Sequence, residues 1–101
     1  MKEIRVLVID DETAISRMLS MALSRKGYQV DTADSGEEGI NKLQSNEYHL
    51  VITDILMGKM SGNEVLEKVK ELKGDSIPVI AMSGTPWLMD EHLFDAVLPK
   101  P

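Results

Sequence analysis

Residues 4–11 read Ile4-Arg5-Val6-Leu7-Val8-Ile9-Asp10-Asp11, an apolar run that breaks abruptly into two carboxylates. Residues 50–54, Leu50-Val51-Ile52-Thr53-Asp54, repeat the plan with a single carboxylate at the end. Unbroken runs of Val, Ile and Leu suit strands buried on both faces, as in parallel sheets covered by helices. Between the runs the apolar spacing changes to three and four. Ile15, Met18, Leu19, Ala22 and Leu23 form one such stripe of helical period. Gly27 stops that helix, because glycine takes the left-handed conformation at C′ without a Cβ penalty.

Working outward, residues 28–33 read as a second strand. Ser35-Gly36-Glu37-Glu38 is a capping-box pattern opening a short helix that carries Ile40 and Leu43. Residues 50–53 are the third strand, ending at Asp54. A second capping box, Ser61-Gly62-Asn63-Glu64, opens a helix with Val65, Val69 and Leu72 on one face, and Gly74 closes it. Residues 78–82 and the short run 96–98 are the fourth and fifth strands. Between those two only 86–92 can be helical, about two turns. Strands alternating with helices predict an α/β fold with a parallel sheet, one domain over 1–101.

Composition narrows the function. Hydrophobic residues at 43% and charged residues at 28% are those of an ordinary globular domain. The net charge of −6 repels phosphate backbones, so this chain alone does not suit nucleic-acid binding. Without cysteine there is no disulfide, thiolate metal site or cysteine nucleophile. No apolar run approaches the ~20 residues of a membrane span, and no cleavable leader pattern opens the chain, so a cytoplasmic location is expected.

Parallel strands joined by right-handed crossovers share one carboxyl edge, and ligands of open α/β sheets bind there. Asp10 and Asp11 end the first strand, Asp54 the third and Ser83 the fourth, while Lys100 follows the fifth. Taken singly each has an ordinary role: Asp11 a helix N-cap, Asp54 and Ser83 turn residues, Lys100 a surface lysine. Together they put three carboxylates on one rim, where mutual repulsion raises each pKa unless a cation intervenes. Mg²⁺, a hard ion bound by carboxylates, waters and phosphate oxygens, relieves that repulsion.

Asp10-Asp11-Glu12, Asp54-Ile55-Leu56-Met57, Gly62, Ser83-Gly84 and Lys100-Pro101 together resemble, along the whole chain, the pattern of response-regulator receiver domains. The resemblance implies a doubly wound, flavodoxin-like sheet of five strands in order 2-1-3-4-5. It implies Asp54 as phosphoacceptor and Mg²⁺ held by Asp11, Asp54 and the backbone carbonyl of Leu56, with Asp10 assisting through water. It further implies that Ser83 bonds a phosphoryl oxygen and Lys100 pairs with the phosphate. The implied partners are a histidine kinase or phosphotransfer protein upstream and an effector downstream. A receiver of this kind catalyses only its own phosphorylation and dephosphorylation.

Four features depart from the family pattern. Gly58 stands where many relatives have proline, and Val97 where many carry an aromatic switch residue. The segment 83–100 is short, which shrinks the fourth helix, and no fifth helix follows Lys100-Pro101. Counting faces, one helix alone would then cover one side of the sheet, and a second copy of the chain or a further segment is expected to cover the rest. Two rival functions compete: an unphosphorylated interaction module, and a Mg²⁺-dependent phosphatase with an aspartate nucleophile, as in the haloacid dehalogenase class. The latter uses two aspartates one residue apart after its first strand, whereas Asp10 and Asp11 are adjacent. His49 and His92 read as surface residues, Trp87 as a packing residue in a loop or, alternatively, as a filler of the space left by Val97 near the phosphoryl pocket, and some methionines as core gap-fillers.

Overall fold

The computed structural model describes residues 3–84 and 94–100. In order it contains β1 (Arg5–Ile9), α1 (Thr13–Arg25), β2 (Gln29–Ala33), α2 (Gly36–Ser45), β3 (Leu50–Asp54), α3 (Gly62–Lys73), β4 (Val79–Ser83) and β5 (Ala96–Pro99). The expected short helix over 86–92, with Trp87 and His92, lies outside the described residues. All strand pairs are parallel, and the sheet order is β2-β1-β3-β4-β5, as expected.

The alternation of side chains along each strand divides the core in two. Leu7, Ile9, Val51, Val79 and Ala81 meet Ile40 and Leu43 of α2 and Val65, Leu66 and Val69 of α3. On the opposite face Val6, Val8, Ile52 and Met82 lie beneath Ile15, Leu19 and Leu23 of α1. Both serine caps form: Ser35 accepts from the Glu38 N–H at 3.1 Å and Ser61 from the Glu64 N–H at 3.3 Å. Gly27, at φ +94°, takes the left-handed conformation expected of it.

Two helical stripes differ from expectation in the same way. In α1, Met18 is 45% exposed and Ala22 is exposed, while Ser16 is buried. In α3, Leu72 is 41% exposed and Leu66 is buried. At ~100° per residue, position i+7 falls about 20° behind i, on the far side from i+1. Each helix is rolled toward its i+1 residue, so Ser16 and Leu66 enter and the opposite flank lifts out.

The bare sheet face is a second correction. Val6, Val8, Ile52 and Met82 are each at most 4% exposed, so the strand centres on the α1 side are covered. Among the described residues, the exposed large hydrophobics on that side are Ile4 before β1, Met18 and Met21 on α1, and Leu98 on β5. Leu98 pairs in register with Met82 on the outermost strand, beyond the reach of one helix.

At the amino ends of the strands a polar cluster ties three segments together. The Arg5 guanidinium donates to Asp31 at 2.8 Å, and the Tyr48 hydroxyl donates to the same oxygen at 2.6 Å. Arg5 also stacks over the Tyr48 ring, 5.0 Å from its centre. His49 is structural here, its Nδ1 accepting the Arg5 backbone N–H at 3.0 Å. The Tyr48 hydrogen bond holds the Asp31 carboxyl below its ordinary 3.8; burial opposes this and Arg5 reinforces it. A depressed carboxyl pKa stabilises the fold above the unfolded value and ceases to do so as pH falls through the folded one. Asp31→Ala should therefore cost about 2 kcal/mol near neutrality. In urea titrations its gap from the parent should close as pH drops below 3.8. A gap that persists undiminished in acid would disprove the assignment.

Candidate functional site

The parallel register brings the carboxyl ends of the strands level. Ile9 pairs with Thr53, Asp54 with Met82, and Ser83 with Pro99. The ladder continues one residue further: the Asp10 N–H donates to Ala33 O at 3.1 Å and the Lys100 N–H to Ser83 O at 2.9 Å. Asp10, Asp54, Ser83 and Lys100 thereby gather on one rim, with Asp11 and Glu12 in the loop above.

Four carboxylates from two strand ends, Asp10, Asp11, Glu12 and Asp54, offer oxygens that all lie within 4.8 Å of one another. Asp10 and Asp54 are buried, while Asp11 and Glu12 are exposed. The ammonium of Lys100 sits among them, 2.6 Å from Glu12 Oε1, 3.0 Å from Asp54 Oδ2 and 3.5 Å from Asp10 Oδ2. Burial favours the neutral amine, but hydrogen bonds to Glu12 and Asp54 and the Asp10 charge outweigh it, holding the Lys100 pKa well above its ordinary value.

Asp10 is the least comfortable member. Its Oδ1 accepts the Glu12 N–H at 2.8 Å, while the buried Oδ2 has no hydrogen-bond partner. Burial raises the Asp10 carboxyl above its ordinary 3.8, the Glu12 N–H opposes this, and the neighbouring Asp54 charge adds to the rise. An orphaned carboxylate oxygen beside three other acids is the donor set of a hard divalent cation, and the residues fit Mg²⁺. Asp11 is not the helix cap: Glu12 occupies the N-cap of α1, and its side chain makes no capping bond.

The loop after Asp54 is tightly fixed at one end and open at the other. The Gly62 N–H donates to Ile55 O at 2.9 Å, and a Cβ at Gly62 would lie 2.4 Å from the Asp54 carbonyl oxygen. Leu56 is 81% exposed, and nothing lies within 4 Å of a Cβ at Gly58. Val97 is half-buried against the α2–α3 side of the core. Sequence reasoning assigned neither Glu12 nor Gly62 a role of its own; both were visible only as members of the motif.

Residues 6–93 match the family model of the response regulator receiver domain. The chain belongs to that family. Among curated relatives, the transcriptional regulatory protein ResD of Bacillus subtilis is 37% identical over 82 residues, covering 81% of this chain and 34% of that protein. The CpxR homolog of Haemophilus influenzae is 31% identical over 102 residues, covering 96% of this chain and 44% of that protein. The receiver thus spans less than half the length of either. The response regulator protein TrrA of Thermotoga maritima, solved in complex with Mg(2+)-BeF, is 35% identical with a TM-score of 0.86, covering 97% of this chain and 87% of that one. Chemotaxis protein CheY4 of Vibrio cholerae aligns at 26% identity and a TM-score of 0.86, covering 99% and 88%. Receivers are signalling modules of two-component systems rather than conventional enzymes, which sets aside the phosphatase alternative.

Proposed function

We propose that this receiver takes a phosphoryl group onto Asp54 in the presence of Mg²⁺ and signals through the resulting change of shape. The observation that carries the reading is the buried Asp54 carboxylate at the end of a central strand, 3.0 Å from the Lys100 ammonium and grouped with Asp10 and Asp11. The relative solved with Mg(2+)-BeF supports it. The unphosphorylated interaction module remains the rival, and the labelling experiment below separates the two.

A carboxylate oxygen of Asp54 attacks the donor phosphorus. The bond from phosphorus to the donor's nitrogen or oxygen breaks, and the electron pair leaves with the donor. Lys100 offsets charge on the transferred group, and the Ser83 hydroxyl donates to one of its oxygens. Asp10, Asp11, Asp54 and the Leu56 carbonyl would hold Mg²⁺, which when bound neutralises phosphoryl oxygens and aligns them. The donor is a phosphohistidine of a histidine kinase or phosphotransfer protein, or a small acyl phosphate. The net charge of −6 disfavours direct nucleic-acid binding by this chain.

Intact mass after incubation with acetyl phosphate and Mg²⁺ should rise by one phosphoryl group. A mass that never changes would leave the interaction module as the better account. Mg²⁺ should also stabilise the fold, because it binds the assembled acids and not the unfolded chain. At ten times its dissociation constant the gain is about 1.4 kcal/mol, roughly 5–10 °C for so small a domain. Asp11→Ala should abolish that shift with little change in metal-free buffer, as its exposed side chain packs against nothing essential. An unaltered Mg²⁺ response in the variant would remove Asp11 from the metal set.

A further inference from the structure

Glu12 stands at a position where side chains ordinarily cap the helix, yet it caps nothing. Its carboxylate instead makes the shortest of the three contacts to Lys100, at 2.6 Å, across 88 residues of sequence. The backbone of Glu12 is pinned in turn by its N–H on Asp10 Oδ1. The Glu12 side chain is 61% exposed, and so open an ion pair adds little to fold stability. What it does control is where the ammonium rests.

Lys100 donates hydrogen bonds to Glu12 and Asp54, while Asp10 Oδ2 stands 3.5 Å away as an ion-pair partner without a hydrogen bond. The oxygens of a phosphoryl group on Asp54 compete with these partners for the ammonium. Asp10 and Asp54 are buried in the strand ends and have nowhere to go, whereas Glu12 lies on the solvent side. Resting on the Asp54 phosphoacceptor reading, we propose that Glu12 is a positioning residue that holds Lys100 in the unphosphorylated state and must release it when Asp54 is phosphorylated. The pair acts against the phosphorylated form, by competing for the cation that this form needs. It also ties the end of β5 to the start of α1, so release frees those two elements from each other.

The test compares the parent with Glu12→Gln and Glu12→Asp. Glutamine removes the charge and leaves only a neutral acceptor, whereas aspartate keeps the charge but shortens the arm by one methylene, so the hold on Lys100 is weakened in both. In the unphosphorylated protein, the ¹⁵Nζ ammonium signal of Lys100, assigned by its loss in Lys100→Arg, should be sharp in the parent and exchange-broadened in both variants. After acetyl phosphate labelling at saturating Mg²⁺, both variants should keep the phosphoryl group roughly two- to fivefold longer. A merely structural role would leave these readouts unmoved. If the parent is labelled but both variants match its half-life, or only Glu12→Gln lengthens it, the positioning role is wrong while the phosphoacceptor reading stands. If the parent takes up no phosphoryl group, that reading falls and this one with it.

Discussion

Asp54→Asn is expected to take up no phosphoryl group from acetyl phosphate under conditions that fully label the parent. Asparagine has nearly the same shape, so packing at this buried position is retained, but its amide oxygen is too weak a nucleophile. Nor can another acid of the cluster take over. Asp10 Oδ2 is enclosed, and Asp11 and Glu12 sit in the loop rather than at the end of β3. The loss should be complete within the sensitivity of intact mass spectrometry. The variant should melt close to the parent in metal-free buffer, because the lost charge relieves repulsion among the acids while it weakens the bond to Lys100. Undiminished labelling of folded Asp54→Asn would show that the phosphoryl group goes elsewhere.

Gly62→Ala should be the most destabilising single methyl addition in the site. The new Cβ would lie 2.4 Å from the Asp54 carbonyl oxygen and 2.8 Å from Ile55 Cα, both backbone atoms that cannot turn aside. Overpacking costs about 1–3 kcal/mol where side chains can adjust, and here they cannot. Alanine's better helix propensity returns at most ~1 kcal/mol and does not reverse the sign. A net loss of about 3 kcal/mol lowers the melting temperature by roughly 12–24 °C in a domain of this size. The folded fraction should also label more slowly, since relief of the clash moves Asp54 itself. Gly58→Ala is the internal control: with nothing within 4 Å it should change stability by no more than ~0.5 kcal/mol. Equal melting temperatures for the two variants would refute the close approach of α3 to β3.

The sequence by itself determined the strand order of chemistry. Runs such as Val6-Leu7-Val8-Ile9 suit doubly buried parallel strands, whose carboxyl ends share one edge, and that shared edge brings Asp10, Asp54, Ser83 and Lys100 to one rim. The serine caps and Gly27 were equally legible, because capping depends on a few neighbouring residues. The tertiary structure decided what depends on rotation and distance. Whether α1 buries Ser16 or Met18 turns on a roll of tens of degrees that the apolar period does not specify. That Gly62 must be glycine follows from a contact eight residues back, and that Glu12 reaches Lys100 follows from one 88 residues on. Local pattern encodes which face a residue is on; only packing of one element against another sets which atoms on that face meet.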